Sequence, residues 1–107
     1  MDYKFITEKL KNFLTTDMKL KQSPLKRELK IISLYYLAEK FAPGTDYTQK
    51  QINETLNLWH SFDDSAMLRR ELIECGFLTR VNDGSVYRLS DKPPEFEEFS
   101  KWIGKTA

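Results

Sequence analysis

The sequence predicts an α+β, mostly α fold, a winged helix-turn-helix with a two-stranded wing and additional N- and C-terminal helices. Three observations lead there. From Asp63 to Arg88 the chain reads as one helix running through a glycine stop at Gly76 into two short strands around Asp83-Gly84. A second capped helix ends one short turn earlier, at His60-Ser61-Phe62. Apolar residues also recur at helical spacing near both ends of the chain, beyond what this motif has to bury.

Tyr3, Ile6, Leu10 and Phe13, with Lys4, Lys9, Lys11 and Asn12 between them, predict a short amphipathic helix over 3–14, followed by a loop from Thr15 to Gln22. Ser23-Pro24 predicts the next helix start, because a serine oxygen can cap backbone N–H groups and a first-turn proline loses no hydrogen bond. This helix should run to about Phe41 and stop at Pro43-Gly44. Its residues Ile31, Leu34, Tyr35, Tyr36, Leu37 and Ala38 point in nearly every direction, as a core helix requires. Thr45-Asp46-Tyr47 is a short extended piece. Thr48 and Gln51 then have the spacing of a capping box, so another helix begins near Gln49 with Ile52, Leu56 and Trp59 as its apolar stripe. Asp63 or Asp64 caps the following helix, and Gly76 ends it. Phe77 to Asn82 and Ser85 to Leu89 flank Asp83-Gly84, a strong signal for a type I′ hairpin turn. After Pro93-Pro94, the residues Phe96, Phe99, Trp102 and Ile103 predict a last helix over 94–104, with Glu95, Glu97 and Glu98 early and Lys101 and Lys105 late, as a helix dipole favours. The chain thus reads as one domain over 1–107, with a core of about 13–90 and flanking helices at 3–14 and 94–104.

A length of 107 residues suffices to bury one core without disulfides or metals. No apolar run is long enough to span a bilayer, and the opening MDYKFITEKLKNFL carries Asp2 and Glu8, unlike a signal peptide; a cytoplasmic protein without a membrane partner is expected. Cys75, the single cysteine, sits beside Leu72 on an apolar face and reads as a core thiol. His60 is the lone histidine, so no His/Cys cluster exists for zinc, and Asp63-Asp64 lacks the spaced oxygens of a calcium loop. There is no glycine-rich phosphate loop and no Ser-His-Asp arrangement beyond coincidence. The expectation is a non-enzymatic protein with no metal, no cofactor and no small-molecule ligand.

Net charge is +1, yet residues 1–30 hold eight Lys/Arg against four Asp/Glu, while 31–60, 61–80 and 81–107 each come to −1. With residues set about 100° apart, the helix after Asp63-Asp64 turns Leu68, Leu72 and Cys75 inward and places Arg69 beside them. Ala66, Met67, Arg70, Glu71 and Glu74 form its outer side. One arginine with two glutamates is a poor surface for the phosphates of a major groove. Arg69 is expected to be held by a carboxylate from Asp63, Asp64 or Glu28. The nucleic-acid candidates are therefore Lys19, Lys21, Lys26, Arg27 and Lys30 in the basic first third, with Arg70 and the strand residues Arg80 and Arg88. A solvated basic face explains the same residues. At the chain ends, Phe96, Phe99, Trp102 and Ile103, like Tyr3 or Phe5, Ile6, Leu10 and Phe13, either pack on their own domain or join two chains.

Several blocks resemble one family. Ser23-Pro-Leu-Lys-Arg, Tyr47-Thr-x-Lys-x-Ile-Asn53, Asp63-Asp-x-Ala-x-Leu-Arg-Arg-Glu-Leu-Ile, Gly76-Phe-Leu-x-Arg80 and Asp83-Gly-Ser-x-Tyr87 are similar to the DUF2087 family, from about Phe13 to Arg88. Gln49 and Gln51 stand where that family often has glutamates, and Arg88 where it often has tryptophan. The resemblance implies a winged-helix-like domain of bacterial proteins, sometimes attached behind ArsR-like regulators, and no known catalytic residues. The expected function is a non-enzymatic, DNA-associated transcriptional regulatory domain with weak sequence selectivity. The alternative is a protein-interaction or dimerisation module on the same scaffold, without DNA binding.

Overall fold

A computed structural model describes residues 3–81 and 85–91 of the chain. Among them lie four α-helices, α1 (Tyr3–Lys9), α2 (Arg27–Ala38), α3 (Gln49–Trp59) and α4 (Ser65–Glu74), and three strands, β1 (Tyr47–Thr48), β2 (Leu78–Val81) and β3 (Val86–Leu89). The strands form one antiparallel sheet in the order β1-β3-β2. The architecture is α+β and mostly helical. The turn expected at Asp83-Gly84 and the helix expected over 94–104, with Phe96, Phe99, Trp102 and Ile103, lie outside the described residues.

α2 is the central helix, and its burial follows its apolar sequence: Ile31, Ile32, Leu34, Tyr36, Leu37 and Ala38 are all buried, as is the small Ser33. Tyr35 lies half-buried, edge-on to Phe77 at 4.7 Å between ring centroids. The expected start at Ser23 is corrected. The N-cap is Lys26, whose carbonyl accepts the first helical bond from Lys30, and no side chain caps the first turn. Pro24 is buried instead of opening the helix, which leaves Leu25 98% exposed before the first turn begins. The helix also ends earlier than Phe41. Lys40 and Phe41 bond back only three residues, to Leu37 and Ala38, and this tightened turn drops Phe41 into the core against Tyr47, 5.3 Å between rings.

The first helix is likewise shorter than the predicted 3–14. α1 stops at Lys9, and Lys11–Phe13 forms a 3-10 turn. The chain has to turn there because Leu14 pairs antiparallel with Leu20 and the Phe13 carbonyl accepts from Lys21. α1 itself is held on α2 by the buried Ile6 and by a cluster around Lys40. The Lys40 ammonium lies 3.9 Å from the ring centroid of Trp59, 4.3 Å from Tyr36 and 5.3 Å from Tyr3, so one cation bridges α1, α2 and α3. Tyr36 also donates to the Met18 carbonyl at 2.5 Å, fixing the loop before α2; burial, and then neighbouring Tyr3, raise its hydroxyl pKa.

α3 begins as the sequence predicts. Thr48 accepts from the Gln51 amide and the Gln51 side chain accepts from the Thr48 amide, a complete capping box. Ile52 and Leu56 are buried and Trp59 half-buried, which faces this helix toward α4. The extended piece before it becomes β1, so the sheet has three strands where a two-stranded wing was expected.

Candidate nucleic-acid interface

The turn between α3 and α4 is pinned by His60, a buried side chain. Its Nδ1 lies 2.6 Å from the Leu56 carbonyl and its Nε2 lies 2.9 Å from the Asp64 amide, which can only donate. Nε2 therefore accepts and Nδ1 carries the proton. Phe62 packs edge-on to the imidazole at 4.7 Å. Asp63 takes a left-handed conformation, φ 55°, and Asp64 then caps α4 by accepting from the Met67 amide at 3.3 Å. Of the two aspartates named for this role, Asp64 performs it.

The loop before α2 stitches onto this turn. Leu20 is buried; its amide donates to the Trp59 carbonyl at 2.8 Å and its carbonyl accepts from Ser61 at 2.9 Å. On extended chain the neighbours of an inward residue point outward, so Lys19 and Lys21 flank the α3–α4 turn, Lys21 exposed and Lys19 half-buried. Thr15 shapes this loop by hydrogen-bonding Asp17 and accepting from the Lys19 amide. The Thr15 hydroxyl beside it holds the Asp17 carboxyl below its ordinary pKa.

α4 forms from strong helix formers between the Asp64 cap and Gly76, whose φ of 85° ends it. Leu68 and Leu72 are buried as expected. The partner of Arg69 is corrected: its Nη1 donates to Asn53 Oδ1 at 2.5 Å, an amide of α3 and not a carboxylate of Asp63, Asp64 or Glu28. Asn53 wins because α3 packs along α4 on that side. Met67 and Glu71 are also corrected from outer to half-buried positions, since α2 lies against α4. Ala66, Arg70 and Glu74 remain exposed.

At the other end of α4, the start of α2 brings in Lys26, Arg27 and Lys30. Lys26 and Arg27 are exposed. Lys30 Nζ lies 2.9 Å from Glu71 Oε1, while the second carboxylate oxygen, Oε2, is buried without a hydrogen-bond partner. A groove of about 270 Å³ separates the two helices. Ile31 and Leu34 floor it, Arg27 and Lys30 line one wall, and Glu71 and Glu74 line the other, next to Cys75. Burial, and then the charges of Glu71 and Glu74, push the Cys75 thiol above its ordinary pKa. Sequence reading missed this groove because its two walls come from separate helices and no periodicity within either reports the other.

The strand candidates are divided by the pleat. Arg80 pairs with Tyr87 and Thr79 with Arg88, so Arg80 and Arg88 project from opposite faces of the sheet. Arg80 is exposed, its guanidinium 5.6 Å from the centroid of the Tyr87 ring. Arg88 is held by Asp46, with Nε and Nη2 at 2.7 and 2.6 Å from Oδ1. The eight basic candidates thus fall in four places: the α3–α4 turn, the start of α2, the outer face of α4, and the sheet. Lys30 and Arg88 are ion-paired within the domain. Among the described residues, no group of three or more His, Cys, Asp or Glu is placed to hold a metal ion, and no helix is long and apolar enough to cross a membrane.

These elements define a small, mostly helical α+β domain in which two helices joined by a pinned turn lead into an antiparallel sheet. Over residues 19–89, more than half of its length, the chain matches and belongs to the DUF2087 family, described as an uncharacterized protein conserved in bacteria. No curated protein and no solved structure matches it.

Proposed function

We propose that this chain is a non-enzymatic, DNA-associated regulatory domain of winged-helix type that grips the phosphate backbone with weak sequence selectivity. The observation that carries the reading is the order α2, β1, α3, α4, β2, β3, with β1 returning onto β3. Three helices ahead of a pair of antiparallel strands match the element order of a winged helix and support this reading, in which α4 would be the recognition helix. Support for weak selectivity comes from the outer face of α4, where exposed Ala66 and Glu74 accompany the single exposed Arg70. Such a face offers few donors to base edges. Lys19 and Lys21 beside the α3–α4 turn, Lys26 and Arg27 at the start of α2, Arg70 and Arg80 lie at or near the surface and would carry the phosphate contacts. Lys30 and Arg88 contribute less because Glu71 and Asp46 already neutralise them.

The test is a titration of a labelled, sequence-random duplex by fluorescence anisotropy at low and near-physiological salt, with Lys26→Glu/Arg27→Glu as control. Backbone binding gives affinity that falls steeply with salt and is lost in the control. Absence of binding at low salt refutes the reading.

A second reading, a protein-interaction module without DNA binding, is favoured by apolar side chains left in solvent, Leu25 at 98% and Leu58 at 65% exposure foremost among Tyr3, Phe5, Met18, Leu25 and Leu58. It predicts self-association or partner binding that changes little with salt and is lost in Leu58→Ser.

A further inference from the structure

His60 ties the α3–α4 turn to the loop that carries Lys19 and Lys21, and we infer that a second proton on its imidazole opens this turn and thereby loosens the grip on phosphates. The effect on phosphates rests on the DNA-binding reading, whereas the opening of the turn does not. Both ring nitrogens of this buried side chain are engaged with backbone, Nδ1 with the Leu56 carbonyl at 2.6 Å and Nε2 with the Asp64 amide at 2.9 Å. The carbonyl needs a donor and the amide an acceptor, so only the neutral ring with its proton on Nδ1 satisfies both. An imidazolium carries N–H on both nitrogens. Its Nε2–H then points at the Asp64 N–H, donor against donor, and the amide loses its acceptor. The displaced residue is the one whose carboxylate caps α4 through the Met67 amide. Asp63 before it holds φ 55°, a conformation that persists only while surrounding contacts maintain it.

The opening reaches the basic loop through the backbone. Leu20 pairs in parallel with His60, donates to the Trp59 carbonyl and accepts from the Ser61 amide, the residues on either side of the histidine. Lys19 and Lys21 flank Leu20, so their placement depends on the closed turn. The charged groups around the ring are Asp63 and Asp64 on the α4 side, Lys19 and Lys21 on the loop, and Lys40 over the adjacent Trp59. Among the described residues none of them forms an ion pair with the imidazole. No carboxylate there holds an imidazolium inside the closed turn. Histidine ordinarily changes charge between about pH 5 and 8, which sets the range of the switch.

The test is an NMR titration of the full chain from about pH 7.5 down to about 5, above the ordinary carboxylate range. Imidazole nitrogen shifts are followed beside the amide shifts of Leu20, Asp64 and Met67. Anisotropy titrations of the labelled random duplex cover the same range at fixed ionic strength. The turn amides should move with the same midpoint as the ring while the amides of β2 and β3 stay in place, and duplex affinity should fall about threefold or more across that midpoint. The direction is diagnostic, because a histidine that only gained charge would tighten binding to phosphate. His60→Gln, neutral throughout, should show neither change; should this variant fail to fold, the shared midpoint in the natural chain still decides. A ring that takes up no proton in this range, ring protonation that leaves the Asp64 amide unmoved, or loss of the sheet amides together with the turn overturns the switch. Duplex affinity that holds or rises while the turn opens overturns its effect on phosphate binding. Absence of duplex binding at every pH refutes the DNA reading and that effect with it, and the ring and turn shifts, which need no nucleic acid, decide the opening separately.

Discussion

His60 and Asp64 are joined through a single hydrogen bond, the Asp64 amide donating to imidazole Nε2 at 2.9 Å, while the other ring nitrogen holds the Leu56 carbonyl. One side chain thus ties the last turn of α3 to the cap of α4. The bond to Leu56 is buried and the bond from Asp64 partly so. His60→Ala should lower the stability of the domain by about 2–4 kcal/mol, combining two lost bonds with a cavity. Urea unfolding followed by circular dichroism measures it. A loss below about 1 kcal/mol would show that Leu20, bonded to Trp59 and Ser61, holds the turn without His60.

The Lys40 cluster gives a second expectation. An ammonium among Trp59, Tyr36 and Tyr3 joins α1, α2 and α3. Lys40→Ala should cost about 1–2 kcal/mol and change Trp59 emission, whereas Lys40→Arg keeps most of the stability. Equal losses for alanine and arginine would point to aliphatic packing in place of cation attraction.

Arg88 and Asp46 bear on the DNA reading. If Asp46 masks Arg88, then Asp46→Asn should tighten binding to a random duplex about threefold at low salt and steepen the salt dependence by roughly 0.9 for one added phosphate contact. Arg88→Ala in the unaltered background should change affinity less than Arg70→Ala or Arg80→Ala. Anisotropy titrations across a salt series report all four proteins.

Cys75 supplies the pH dependence. Its thiol is raised by burial first and by Glu71 and Glu74 next. The folded chain holds this proton more tightly than the unfolded chain does, so the associated stability is complete below the ordinary thiol range and is lost as pH rises through the folded value. Alkylation should be slow at neutral pH and accelerate only at higher pH than for a free thiol. Glu74→Gln should shift that profile downward. An unshifted profile would mean that Glu74 contributes nothing and that burial and Glu71 set the thiol.

The residues that announced themselves in sequence were those whose partners lie a few positions away. The Thr48–Gln51 capping box, the Asp64 cap, the Gly76 stop and the inward face of Leu68 and Leu72 all formed where the spacing placed them. Ser23-Pro24 carried an equally strong local signal and did not open α2, which begins three residues after a buried Pro24.

The sequence by itself determined the order of the four described helices and of the two strands after α4, since caps, glycine stops and apolar periodicity act through bonds within a single turn. Tertiary structure alone decided which charges are available. Asn53 rather than a carboxylate holds Arg69, Glu71 takes Lys30, Asp46 takes Arg88, and the pleat sends Arg80 and Arg88 to opposite faces. Each of these pairings joins residues from different elements. A long side chain selects its partner by proximity after the helices have packed, and proximity between elements has no period along the chain from which to read it.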